Sequence, residues 1–164
     1  KHVADGLHEG QFGVGARKKA SRLDDLDPIY RNLLDQPITA TLGLIGPDGQ
    51  VNLTPMWFDY AEDKILVNTA EHRPKCQWIR HNPNLTVLLV NPDNPYHWIS
   101  SKCTVVNGIR EEDPGGEVAA QQVDKSWTKY TGQDPPYGLR DPKIDEKRVL
   151  FECEISRIAT FGKP

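Results

Sequence analysis

Between residues 38 and 69 the chain passes through three β-forming stretches with almost nothing between them. Residues 38–45 are dominated by β-branched and aliphatic side chains. Gly46-Pro47-Asp48-Gly49 follows, a turn by residue type, because proline presets φ and glycine tolerates positive φ. Residues 51–60 read as a second strand, Ala61-Glu62-Asp63 turns the chain again, and residues 64–69 read as a third. Parallel strands need a crossover of a dozen or more residues, and these connections are too short to supply one. The stretch is therefore an antiparallel meander.

The remaining elements extend the same plan. Residues 85–91 are almost wholly apolar, as a central strand buried on both faces requires. Residues 96–109 alternate loosely and are long enough to bend across a barrel, and residues 148–155 and 157–161 form a last strand bent at Ser156. Leu26, Ile29, Tyr30, Leu33 and Leu34 fall at helical spacing within residues 24–36, with Pro28 near the start and Pro37 at the stop. Residues 74–81 and 117–130 read as further helices, and residues 134–142 as a loop rich in proline and glycine. Six or more antiparallel strands with a few inserted helices give a mainly β (α+β) fold. Closure of the sheet on itself would remove its exposed edges. Residues 10–21 lack apolar periodicity and carry Arg17, Lys18 and Lys19. Residues 1–21 therefore read as an extended arm, docked on its own subunit or a partner's. Residues 22–164 read as a single domain, the size one core can hold.

Charge and composition exclude several classes. The formal charge of −3 gives no basic footprint for nucleic acid. No apolar run approaches the roughly 20 residues of a membrane helix, and the first residues, Lys1-His2-Val3, lack the layout of a signal peptide. Cys76, Cys103 and Cys153 are far apart and form no CxxC pair. That argues against a disulfide framework or a structural metal site and for a reducing, cytoplasmic setting. Cys103 and Cys153 lie in apolar runs and are expected in the core.

The chemistry is concentrated in residues 53–75. Val67-Asn68-Thr69-Ala70 ends a strand, and Arg73-Pro74-Lys75 opens a helix. A helix start offers free N–H groups and the positive end of the dipole. With Thr69 and two cations beside it, that junction is suited to an anion such as a phosphate. The Arg–Lys pair alone supports nothing more than anion binding. Thr54-Pro55-Met56-Trp57 on the neighbouring strand adds an interruption and an aromatic ring, which suit the edge and face of a heterocycle.

In this order, together with Thr41-Leu42-Gly43-Leu44, Pro47-Asp48-Gly49 and Val90-Asn91-Pro92-Asp93-Asn94-Pro95-Tyr96, these residues resemble the pyridoxamine-phosphate-oxidase-like, FMN-binding split β-barrel superfamily. Within it, the chain looks most like the deazaflavin (coenzyme F420)-dependent reductases of actinobacteria, in the B-type branch. The resemblance runs over residues 38–108 and, more loosely, over residues 148–162.

The resemblance implies a homodimer with two cofactor sites at the interface, and hydride transfer from reduced coenzyme F420 to a small organic acceptor such as a quinone or enone. It implies that Arg73 and Lys75 contact the cofactor phosphate, that Thr54, Pro55, Met56 and Trp57 lie along its chain and ring, and that Asn68 and Thr69 sit near the phosphate. Tyr96, His97 and Trp98 would reach towards the partner's site, and Trp98 is taken as cofactor-binding. No protein acid or base is obligatory, so no catalytic residue is assigned. His97 is either a proton donor to the substrate or a surface or interface histidine. Arg17, Lys18, Lys19 and Arg22 are a candidate contact for an acidic cofactor tail. Trp78 is read as core. Two other readings stand beside this one: an FMN-dependent oxidase or reductase on the same fold, and a non-catalytic protein that carries a flavin, a deazaflavin or haem. For haem, His72, His81 and His97 are the available axial ligands.

Overall fold

The computed structural model describes residues 19–162. In chain order these form β1 (Lys19–Ala20), a single 3-10 turn (Leu23–Asp25), α1 (Pro28–Asp35), β2 (Thr39–Ile45), β3 (Val51–Trp57), β4 (Asp59–Ala61), β5 (Lys64–Ala70), α2 (Pro74–His81), β6 (Asn84–Asn91), β7 (Asn94–Arg110), α3 (Glu117–Thr131) and β8 (Arg148–Phe161). One curled antiparallel sheet runs in the order β3-β2-β6-β7-β8-β5-β4, and β1 pairs with β8. It is a half-barrel. Alternate residues of β2 (Ala40, Leu42, Leu44) and of β6 (Leu85, Val87, Leu89) turn into its core. There they meet Leu33 and Leu34 of α1, together with Ile99, Phe151 and Ile158. Cys76, Cys103 and Cys153 are all buried and free, and Trp78 packs against this core.

The expected strand over residues 51–60 is in fact two strands. It breaks at Phe58, and its halves become the two ends of the sheet. The backbone groups of Phe58 are satisfied from α3 instead of from a ladder. Its N–H donates to the Tyr130 hydroxyl, and its carbonyl accepts from Lys129 Nζ. A buried backbone group must find a partner, so α3 closes the seam that hydrogen bonds between β3 and β4 would otherwise have closed. This is how the barrel comes to be split rather than fully closed.

The helix expected over residues 24–36 is also shorter. Pro28 has no N–H to continue a helix begun earlier and disfavours helical backbone at the residue before it. Asp27 accordingly takes extended backbone and caps α1 by accepting from the Ile29 N–H. The bend at Ser156 is a β-bulge. Lys102 pairs with Arg157 and Cys103 with Ile155, leaving Ser156 unpaired, and its hydroxyl donates to the Lys102 carbonyl. A second bulge at Val106 lets β7 curl around the core. Most of the expected arm lies outside the described residues. Of its described part, Lys19–Ala20 pair with Ala159 and Ile158 of β8.

Candidate functional site

Sheet register assembles the site. The end of β5 and the start of β8 are level, with Ala70 opposite Arg148. From Ala70 the chain makes one turn, held by the Glu71 N–H on the Lys147 carbonyl, and Arg73 becomes the residue that precedes α2. Arg73, Lys75 and Arg148 thus meet at one rim of a cavity of about 340 Å³, a volume in the range of small-molecule sites. Asn68 and Thr69 line the same end. Pro55, Met56 and Trp57 come from β3, Thr39 from β2, Gln122, Val123 and Ser126 from α3, and Tyr137 and Leu139 from the loop before β8.

The cation end is unbalanced. Arg148 is buried and donates to Glu146 Oε1 at 2.8 Å and to Asn68 Oδ1 at 2.9 Å. Among the described residues the side chains of Arg73 and Lys75 have neither an ion pair nor a hydrogen bond. Burial, then the charges of Arg73 and Arg148, hold the Lys75 ammonium below the usual lysine range. An ammonium held down in this way by neighbouring cations is one that an anion relieves. Asn68, expected beside the phosphate, is already engaged. Its Nδ2 donates to the Ala119 carbonyl of α3 while its Oδ1 holds Arg148.

The wall that continues from the cations is aromatic. Trp57 stacks on Tyr130 with ring centres 5.2 Å apart and meets Tyr137 edge-on at 6.1 Å. Trp127 packs against both Trp57 and Tyr137, and the Arg148 guanidinium lies 5.1 Å from the Tyr137 ring centre. The loop that brings Tyr137 here is tied down at several points. The Tyr137 N–H donates to Asp124 Oδ1, and Arg140 grips Glu111 through two hydrogen bonds. That grip, aided by the Arg148 N–H, holds the Glu111 carboxyl below the usual range against its partial burial.

Of the residues named from the sequence, Pro55, Met56, Trp57, Asn68, Thr69, Arg73 and Lys75 line this one cavity. Thr54 does not line it, and its buried hydroxyl has no partner. Trp98 does not line it either and stacks on Phe161 at 5.6 Å. His97 is a buried residue packed on Tyr30 of α1, not a surface or cavity group. Burial lowers its affinity for a proton, and its Nδ1 lies 3.1 Å from Asn91 Nδ2. His72 and His81 are exposed and outside the cavity. Arg22 pairs with Asp63.

Sequence reasoning missed Arg148, Gln122, Ser126 and Tyr137. Little marked Arg148 out: it is the last of four charged residues, Asp145-Glu146-Lys147-Arg148, before the apolar run Val149-Leu150-Phe151. For the α3 residues the only signal is the aromatic pair Trp127 and Tyr130, three apart on one helix face.

The pyridoxamine 5'-phosphate oxidase family model matches residues 26–162. A search of the curated proteins returns no match. Among solved structures, an F420 reductase superposes with a TM-score of 0.66 at 23% identity, over 81% of this chain and 98% of that one. A conserved hypothetical protein, Rv2991, from Mycobacterium tuberculosis gives 0.58 at 26% identity, over 80% of this chain and 81% of that one. HutZ, the haem storage protein of Vibrio cholerae, gives 0.58 at 8% identity, over 80% and 93%. At such identities the F420 reductase and HutZ likenesses speak to the fold alone. No helix among the described residues is long and apolar enough to cross a membrane.

Proposed function

The chain belongs to the pyridoxamine 5'-phosphate oxidase family, and from that premise we propose that its cavity binds a phosphate-bearing flavin or deazaflavin cofactor in the service of an oxidoreductase. The observation that carries this reading is the pair of unpartnered cations, Arg73 and Lys75, beside Arg148 at one end of a cavity whose continuing wall is aromatic. The residues fit such a cofactor. A phosphate takes the place of the missing counter-charge, the Thr69 side chain is free to donate to it, and a planar ring finds Trp57, Met56 and Tyr137. A bound cofactor of this kind supplies two-electron hydride chemistry. The chain's part is to hold the phosphate, fix the ring and keep water from the reacting face. Its acceptor is a small organic molecule such as a quinone or enone, entering past Leu139 at the exposed rim.

The finer proposal names coenzyme F420 as the cofactor, on the sequence order around residues 53–75. A second part of the reading is a homodimer. Val51 and Leu53 on the edge strand β3 are 67% and 68% exposed, and Ile45 beside them on β2 is 38% exposed. They border a groove that includes Leu44, Leu85 and Cys103. A bare apolar edge strand invites association, and a second copy of the chain is the proposed cover. On this reading Trp98 completes the partner's site. The haem reading has no comparable support, since no histidine lines the cavity among the described residues.

Parallel titrations with coenzyme F420 and FMN, followed by turnover of reduced coenzyme F420 with a panel of quinones, enones and nitro compounds, test the proposal. Saturable binding of coenzyme F420 with turnover supports it. Binding of FMN alone replaces the deazaflavin, and binding without turnover on any acceptor makes the protein a carrier.

A further inference from the structure

One polar chain beside the aromatic wall of the cavity has a fixed direction. Asp59 is buried and accepts from Lys125 Nζ at 3.2 Å through each of its oxygens. Asp59 Oδ2 also accepts from Gln122 Nε2 at 3.2 Å. An ionised carboxylate only accepts, so this contact decides which end of the Gln122 amide faces Asp59. The same Nε2 donates to Ser126 Oγ at 3.0 Å. Both amide hydrogens are then used, and Ser126 is committed as an acceptor. Its own O–H has no acceptor among the described residues. Ser126 is 4% exposed, and it lines the cavity. A buried hydroxyl with an unused proton beside a cavity is a donor awaiting a ligand atom.

Its position says which part of a ligand it meets. Asn68, at the cation end, is bonded to Ala119. Ser126 follows on the same helix, about 10 Å further along the axis at the usual helical rise. Its immediate successor Trp127 belongs to the aromatic group around Trp57. The Asp59 carboxylate beside Gln122 is paired with Lys125, so this part of the cavity offers an anion no unpartnered cation of the kind Arg73 and Lys75 supply. The acceptor is therefore a neutral oxygen on the ring portion rather than a phosphate oxygen.

We propose that the Ser126 hydroxyl donates a hydrogen bond to a ring carbonyl of the bound cofactor, and that Asp59 and Gln122 are positioning residues that fix its polarity. This rests on the cofactor reading above. It adds a requirement that the cation cluster does not make, namely a neutral acceptor at a set distance from the phosphate.

The test measures dissociation constants for FMN and coenzyme F420 in wild type, S126A, and the double variant R73A/K75A, with infrared difference spectra in the ring-carbonyl region. S126A is expected to weaken whichever cofactor binds by about tenfold, the range of one net hydrogen bond, and to move one carbonyl band to higher frequency. Q122L is expected to move the same band part of the way, which a purely structural role would not do. S126C keeps the side-chain shape with a weak S–H donor and carries the same comparison if S126A does not fold. If S126A and S126C bind and absorb like wild type while R73A/K75A is weakened, the Ser126 assignment is overturned and the cofactor reading stands. If R73A/K75A also binds like wild type, both are overturned.

Discussion

The Phe58 N–H donates to the Tyr130 hydroxyl at 2.8 Å, and the same hydroxyl donates to the Ile38 carbonyl. One side chain of α3 thereby ties the break between β3 and β4 to the start of β2. It also stands against Trp57, so barrel closure and the aromatic wall of the cavity depend on the same ring. Tyr130→Phe removes both hydrogen bonds and keeps the stack. Leaving a buried N–H without a partner costs about 1–3 kcal/mol. Urea denaturation is expected to show a loss of that size with an unchanged denaturant slope. A loss near zero would mean that water replaces the hydroxyl at the seam.

The loop that presents Tyr137 and Leu139 depends on the Arg140–Glu111 contact. The folded-state pKa of Glu111 is depressed from 4.5. Its contribution is therefore complete above that value and is lost as pH falls through the lower, folded pKa. Hydrogen exchange is expected to show residues 137–146 losing protection in Glu111→Gln at neutral pH. In wild type the same loss is expected only in acid below pH 4.5. Equal protection of that loop in the two proteins would remove Glu111 as its anchor.

Lys75 gives the candidate site its own pH dependence. Its pKa is lowered from 10.5 chiefly by burial and secondarily by Arg73. A bound phosphate favours the charged form and raises the pKa again. Binding is then strongest where the ammonium is already charged. It weakens as pH rises through the depressed pKa of the free protein, below 10.5. Cofactor titrations across the alkaline range are expected to show this decline in wild type and a flatter profile in Lys75→Met. Parallel declines in both would assign the titration to another group.

The apolar edge makes a separate prediction about assembly. Leu53→Glu puts a charge on the exposed face of β3, where Leu53 pairs with Gly43 of β2. Sedimentation velocity is expected to show wild type as a dimer and this variant as a folded monomer. A dimer that persists in Leu53→Glu would place the interface elsewhere.

What the sequence made legible was local. Arg73-Pro74-Lys75 and the β5 end stand within a few residues of one another, so their junction could be read directly. The short connection at Pro47-Asp48-Gly49 fixed the β2–β3 hairpin, whose register pairs Thr41 with Pro55. Arg148 reaches the same cluster only because β8 pairs with β5 across nearly 80 residues of chain, which no spacing encodes. The break at Phe58 was hidden for a similar reason. Its cause is two side chains of α3, more than 70 residues away. The roles considered for His97 came from the resemblance, which gives its place in the chain but not its packing, and Tyr30 of α1 packs on its ring.

The central claim is that Arg73 and Lys75 hold a cofactor phosphate. Its most direct test is equilibrium binding of coenzyme F420 and FMN to wild type and to the double variant Arg73→Ala, Lys75→Ala. Each charge-assisted hydrogen bond contributes about 1.5–3 kcal/mol. Saturable binding of one or both cofactors to wild type is therefore expected, weakened at least a hundredfold in the double variant. Equal affinity in the two proteins would contradict it.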